Sequence, residues 1–290
     1  MLSPHETGTA RCGTVDIFYR RFGKPGRTPL VIVHGASYFS YDWIDAAAAI
    51  ATDREVVAMD MRGFGDSSWS PAKDYSVAAM GGDIAVLATH LGWDKFIPVG
   101  HSMGGRGVAW CAANHPARVS AAVLVDYSPD NAPAGSRRTA ERVGRQPDVF
   151  ASVEAAMQYH GVDPATESGK ARHARYEAFL RPTAGGLQLK RDLHFRDQFK
   201  RTLDTGEKAK LGIDMWQVLR EVACPTLVVR GAQSDMFAAE TVPKMMEANT
   251  RFEVVSIEGG HHVAGDNPAG FVAAVRAFLA TLETSHAKAA

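Results

Sequence analysis

Gly100-His101-Ser102-Met103-Gly104-Gly105 sets a serine between glycines in a G-x-S-x-G frame. An apolar run, Phe96-Ile97-Pro98-Val99, precedes it, and a helix-compatible stretch, Arg106 to Ala113, follows. Strand, tight turn and helix lift a serine hydroxyl above a sheet, beside a helix N-terminus whose free N–H groups favour negative charge. Glycines at 100 and 104 fit a turn where a β-carbon would meet neighbouring backbone. A serine hydroxyl attacks poorly at neutral pH unless a base takes its proton, and imidazole titrates in the right range. The imidazole needs a carboxylate to fix its tautomer, and a tetrahedral oxyanion needs donors already in place. His261 and His262, after Gly259-Gly260, are the candidate bases; Asp126 and Asp235 are the candidate acids.

These residues are far apart in sequence, so the elements must bring them together. Leu30-Val31-Ile32-Val33, Glu55-Val56-Val57-Ala58-Met59, Ala121 to Val125, Pro225 to Val229 and Phe252 to Ile257 read as strands, most of them buried on both faces. Residues 9–22 read as one or two antiparallel strands. Tyr75 to Leu91 is helix-compatible, although Gly81-Gly82 weakens it, and Phe271, Val275, Phe278 and Leu282 form one face of a last helix. Pro98 removes a ladder donor from the strand before Ser102, so that strand either tolerates the gap or is irregular there. Alternating strands and helices imply an α/β chain with a mostly parallel, doubly wound sheet. Such sheets place chemistry beyond their carboxyl ends, where His34-Gly35-Ala36, Ser102, Asp126, Asp235 and His261 all fall. From 128 to 222 strand-like runs vanish and helix formers, arginines and aromatics dominate. The expected division is a core of 1–127 and 223–290 with a helical cap, 128–222, inserted over the catalytic edge.

Composition narrows the class. The 290 residues are 46% hydrophobic and 22% charged with a formal net charge of zero, so a nucleic-acid or membrane partner has no electrostatic argument and none is expected. The first residues, Met1-Leu2-Ser3-Pro4-His5-Glu6-Thr7, have no basic or apolar region of a signal peptide. Cys12, Cys111 and Cys224 lack metal spacing and read as free thiols of a reducing cytoplasm.

Four stretches together resemble the α/β-hydrolase superfamily: Val33-His34-Gly35-Ala36, Asp60-Met61-Arg62-Gly63-Phe64-Gly65-Asp66-Ser67, the turn around Ser102, and Gly260-His261 with Pro268 seven residues on. The resemblance covers nearly the whole chain outside the insert. It implies Ser102 as nucleophile, His261 as base, Asp235 as its orienting acid, and an oxyanion hole from the N–H groups of Met103 and Ala36. Asp126 is the rival acid, because some relatives carry it after that strand; Asp235, in Gly-Ala-Gln-Ser-Asp, is favoured. His262 is expected to pack its loop, and Asp130 and Asp266 to serve turns. An aspartate nucleophile, as in dehalogenases and epoxide hydrolases of this fold, is excluded by Ser102.

The remaining candidates have plainer readings beside functional ones. Arg62-Gly63-Phe64-Gly65 lacks the Lys-Ser/Thr of a phosphate loop and reads as a structural turn. His101 reads as packing and Arg106 as an ion-pair partner. Tyr38, Phe64, Trp216, Met236 and Val263 are candidate pocket walls, against core packing as the alternative. Residues 132–215 carry 15 Lys/Arg against 11 Asp/Glu, which reads as a solvated helix surface or as a lid that attracts a substrate carboxylate. The expected activity is hydrolysis of a small carboxylic ester through an acyl-enzyme, with no metal or cofactor. A lactone, amide or carbon–carbon bond cleaved by the same triad is the first alternative, and a ligand receptor on this scaffold the second.

Overall fold

The computed structural model describes residues 3–207 and 210–289, so Met1 and Leu2 of the leader reading lie outside the described residues. The chain begins with an antiparallel hairpin, β1 (Glu6–Cys12) and β2 (Val15–Phe22). It continues through β3 (Arg27–Val33), α1 (Ile44–Ile50), β4 (Arg54–Met59), α2 (Val77–His90), β5 (Ile97–His101), α3 (Met103–Asn114) and β6 (Ala122–Val125). Next come α4 (Pro133–Gly144), α5 (Val153–Tyr159), α6 (Glu167–Phe179), a small hairpin of β7 (Leu180–Thr183) and β8 (Gly186–Leu189), α7 (Leu193–Thr205) and α8 (Met215–Glu221). The chain closes with β9 (Thr226–Gly231), α9 (Thr241–Ala248), β10 (Phe252–Ile257), α10 (Val263–Asp266) and α11 (Pro268–Ala289).

Among the described residues eight strands form the main sheet, in the order β1-β2-β4-β3-β5-β6-β9-β10. The pairs β1–β2 and β2–β4 are antiparallel; from β4 to β10 every pair is parallel. The carboxyl ends of those six strands therefore share one edge. Every residue of β4, β5 and β6 is buried, because helices cover both faces. Ile84, Leu87, Val108, Val218 and Leu219 of α2, α3 and α8 fill one layer; Ile44, Ile50, Phe271, Val275 and Phe278 of α1 and α11 fill the other. Phe271 has no exposed surface and meets Trp43 edge-on at 5.7 Å, so truncating it to alanine would cost about 3–5 kcal/mol.

Two local expectations resolve through packing. A β-carbon at Gly81 would come within 2.5 Å of the Trp110 ring and 2.9 Å of the Gly107 carbonyl, so the glycine that weakens α2 by propensity lets it lie close on α3. Pro98 pairs with Val31 of β3, and on its other side the register shifts by one residue between Phe96↔Val119 and Val99↔Val123. The missing donor falls at that irregularity.

The chain between β6 and β9 is mostly helical, with one departure from the sequence reading: β7 and β8 pair across Leu180↔Leu189 to Thr183↔Gly186. Phe150, Met157, Tyr176, Phe179 and Leu189 form a small core there, joined by Phe39 from the main body. Among the described residues no helix is long and apolar enough to cross a membrane.

Candidate active site

Ser102 follows β5 directly and holds φ +52°, ψ −116°, a conformation that few non-glycine residues adopt. The turn closes only because its neighbours lack side chains. A β-carbon at Gly104 would sit 2.5 Å from the His34 carbonyl and 2.6 Å from that of Val33; one at Gly100 would sit 2.6 Å from the Gly104 carbonyl. Gly35 is close too, since its β-carbon would lie 3.2 Å from Ser102 Cβ. The ends of β3 and β5 thus press against each other at the hydroxyl.

His261 reaches Ser102 from the loop after β10. Its Nε2 lies 2.9 Å from Ser102 Oγ and its Nδ1 lies 2.6 Å from Asp126 Oδ2. A carboxylate can only accept, so Nδ1 carries the proton and Nε2 is free to take one from the serine. Asp126 is buried directly after β6 at φ +41°, and accepts from Gly231 N at 2.8 Å and from Ser234 Oγ at 2.5 Å. Hydroxyl, imidazole and carboxylate form one hydrogen-bonded line, in which a proton can pass from Ser102 to Nε2 while the carboxylate holds the ring.

The favoured acid of the sequence reading is therefore corrected. Asp235 does not meet His261; both its oxygens accept from Arg138 of α4, at 2.6 and 2.7 Å. That guanidinium holds its carboxyl below the usual range. The two acids end neighbouring strands at one edge, and two contacts separate them: Ser234 ties Asp126 inward while Arg138 draws Asp235 outward. The sequence carried a usable signal, since Asp126 follows its strand without a gap, as Ser102 and His34 do, whereas Asp235 lies four residues past Gly231.

The supports around this line are largely neutral side chains. His101 Nε2 donates to the His261 carbonyl at 2.8 Å, so it holds the base's backbone as well as packing. Burial, followed by the nearby His261 and His262, drives its pKa well below the ordinary value. His34 Nδ1 donates to the Gly35 carbonyl at 2.8 Å and its Nε2 accepts from Met61 N at 3.0 Å; burial lowers its pKa to about 4. Asp60 accepts from Ser40 N at 2.6 Å and Asp66 N at 2.8 Å, joining the loops after β3 and β4, and burial raises its pKa to about 6. Arg62 forms a two-pronged pair with Asp83, both contacts 2.7 Å, as a structural turn requires. The N–H groups of Ala36 and Met103 donate to no acceptor among the described residues and stand half-buried beside Ser102.

The candidate wall residues separate into two sets. Tyr38 stacks on His262 at 4.1 Å and meets His101 edge-on at 5.5 Å, and Met236 lies under α4 against Gly135 and Thr139. Phe64 and Val263 have no exposed surface and support the edge from beneath: Phe64 against His34 and Phe195, Val263 in the layer under α11. Trp216 donates its indole N–H to Asp130 at 2.9 Å, which ties α8 to the stretch after β6. Asp266 accepts from Gly260 N at 2.9 Å in the loop that carries His261. Arg106 has no ion-pair partner among the described residues, against expectation, and burial lowers its pKa. Among the described residues no cluster of His, Cys, Asp and Glu could hold a metal ion.

The sequence profile described as alpha/beta hydrolase fold matches residues 28–268. A 3-hydroxybutyrate-oligomer hydrolase of Cupriavidus necator is 29% identical over 277 residues, covering 90% of this chain and 92% of that protein. A 2-(acetamidomethylene)succinate hydrolase of Mesorhizobium japonicum is 26% identical over 242 residues, covering 83% and 84%. The crystal structure of an E-2-(acetamidomethylene)succinate hydrolase superposes with a TM-score of 0.79 at 24% identity, covering 95% of this chain and 99% of that one, a likeness of fold.

Proposed function

Because this chain belongs to the alpha/beta hydrolase family, we propose that it is a serine hydrolase that cleaves a carboxylic ester through an acyl-enzyme, with Ser102, His261 and Asp126 as its triad. One observation carries the reading: the serine hydroxyl and a buried carboxylate meet the two nitrogens of one imidazole, at 2.9 and 2.6 Å.

The chemistry follows from that line. Ser102 Oγ attacks the carbonyl carbon as its proton passes to His261 Nε2, and the imidazolium is stabilised by Asp126. The oxyanion is received by the N–H groups of Ala36 and Met103, each such donor contributing about 3–4 kcal/mol to the transition state. Collapse breaks the carbon–oxygen bond and His261 returns the proton to the leaving alcohol. Water then attacks the acyl group with His261 as base, releasing the acid and restoring Ser102.

In this reading residues 128–222 are a cap over the catalytic edge. Its first helix, α4, crosses the site: Gly135 N donates to the Asp235 carbonyl at 3.1 Å, Arg138 pairs with Asp235, and Arg142 reaches Ser37 Oγ at 3.3 Å. The free, buried Cys12, Cys111 and Cys224 are consistent with a reducing cytoplasm as its setting. The test is covalent: a fluorophosphonate is expected to add to native protein at Ser102 and to leave Ser102→Ala unmodified. Equal modification of both proteins would overturn the assignment.

A further inference from the structure

Five arginines crowd the edge where Ser102 lies, and only two have counter-ions. Arg138 is matched by Asp235, and Arg175 by Asp42 at 2.5 and 3.0 Å. Arg106, Arg142 and Arg191 have no carboxylate partner among the described residues. Arg142 makes a long side-chain contact from Nη2 to Ser37 Oγ at 3.3 Å and a hydrogen bond with the Tyr38 hydroxyl, while its Nε is buried without any acceptor. Arg191 is 4% exposed and donates to the neutral amide of Gln146 at 2.6 Å, with the charge of Arg142 close enough to act on it. The Arg106 side chain makes no hydrogen bond or ion pair among the described residues and stands on the first turn of α3, the helix that Ser102 heads.

Nearby acids cannot neutralise these three, because each is already engaged. Asp42 is held by Arg175 and the Phe39 amide, Asp130 by Trp216, Asp126 by His261, and Asp235 by Arg138. Arg191 is buried, as is Arg142 Nε, and a guanidinium or donor so placed is costly to keep without a counter-ion or an acceptor. Their position shows which acceptor would fit. Ser37, touched by Arg142, adjoins Ala36 of the oxyanion turn, and Arg106 lies three residues after Met103 on the helix that Ser102 heads.

We propose that the ester carries a second acid group, an ionised carboxylate on its acyl part, received between Arg142 and Arg106 with Arg191 behind. This rests on the acyl-enzyme reading and gives it a substrate class: half-esters of dicarboxylic acids and esters of similarly anionic acyl groups. The guanidinium fork of Arg142, with its unmet Nε, matches a carboxylate in two-pronged geometry.

The test compares 4-nitrophenyl hydrogen glutarate with its neutral methyl ester at pH 7.5. Native protein is expected to favour the acid in kcat/KM by about tenfold to a hundredfold, as for charge-assisted hydrogen bonds, and the preference should shrink as salt rises. In Arg142→Gln and Arg106→Gln the ratio of acid to neutral ester should fall toward unity, mainly through KM for the acid. The native measurement needs no variant, so a misfolded variant does not block the result. Equal turnover of the two esters by native protein that still takes fluorophosphonate at Ser102 would overturn the carboxylate site and leave the serine mechanism standing. Turnover without any adduct at Ser102 would overturn the mechanism beneath it.

Discussion

Replacing Asp126 with asparagine separates the two candidate acids. In native protein Asp126 Oδ2 lies 2.6 Å from His261 Nδ1, and its other oxygen accepts from Gly231 N at 2.8 Å. An amide there turns either a donor or a weaker acceptor toward Nδ1. When the donor faces it, the imidazole must carry its proton on Nε2, where it cannot take one from Ser102. The expected loss in kcat is about 10⁴-fold, or roughly 5 kcal/mol of transition-state stabilisation. The same substitution weakens the contacts from Gly231 N and Ser234 Oγ, so it should also lower stability by about 1–3 kcal/mol.

Asp235→Asn is the matched control. Its ion pair with Arg138 joins side chains that are 35% and 52% exposed, and such pairs contribute about 1 kcal/mol or less. Its effect on kcat should stay within about threefold. The assay is steady-state hydrolysis of a 4-nitrophenyl ester by both variants, with thermal unfolding to confirm that each is folded. A folded Asp126→Asn protein of near-native kcat, beside a crippled Asp235→Asn protein, would refute the reasoning and restore the acid that the sequence favours.

Other outcomes follow from the same contacts. Ser234→Ala removes the hydroxyl that donates to Asp126 and accepts from Met236 N and Phe237 N; a stability loss of about 1–2 kcal/mol and a smaller fall in kcat than Asp126→Asn are expected from denaturant melts and kinetics. Gly104→Ala forces a β-carbon to within 2.5 Å of backbone oxygen and should cost more than about 2 kcal/mol, read by thermal unfolding together with fluorophosphonate uptake. His34 binds its proton below about 4 when folded and near 6.5 when unfolded, so between those values the unfolded chain holds more protons and stability falls as pH drops, by on the order of 3 kcal/mol for this residue. Asp60, raised to about 6, contributes the opposite slope from 3.8 upward, so denaturant melts of native protein and His34→Gln across pH 4–7 should differ by the His34 part alone.

What the sequence makes legible divides along a physical line. Ser102 can be read because a glycine-flanked turn after a strand leaves few choices, and His261, beside His262, because its spacing to Pro268 resembles the family's. The parallel strands are legible for a similar reason, since burial on both faces demands an unbroken apolar run, as in Val56-Val57-Ala58-Met59 and Ala122–Val125. The hairpin Leu180–Thr183 with Gly186–Leu189 is not legible, because only Leu180 and Leu189 are buried and no alternation results. The acid is harder still. Val125-Asp126 and Gly231-Ala-Gln-Ser-Asp235 both end at one edge, and nothing within either stretch states that Arg138, almost a hundred residues from Asp235, will take one carboxylate out of contention. The choice is made by contacts on both acids: Gly231 and Ser234 hold Asp126, and Arg138 of α4 holds Asp235. Because the Gly231 and Ser234 donors that fix Asp126 do not depend on α4, Arg138→Ala should free Asp235 without drawing it to His261. Double substitution of Arg138 and Asp126 should then stay as inactive as Asp126→Asn alone, and recovery of activity in the double variant would show the two acids to be interchangeable.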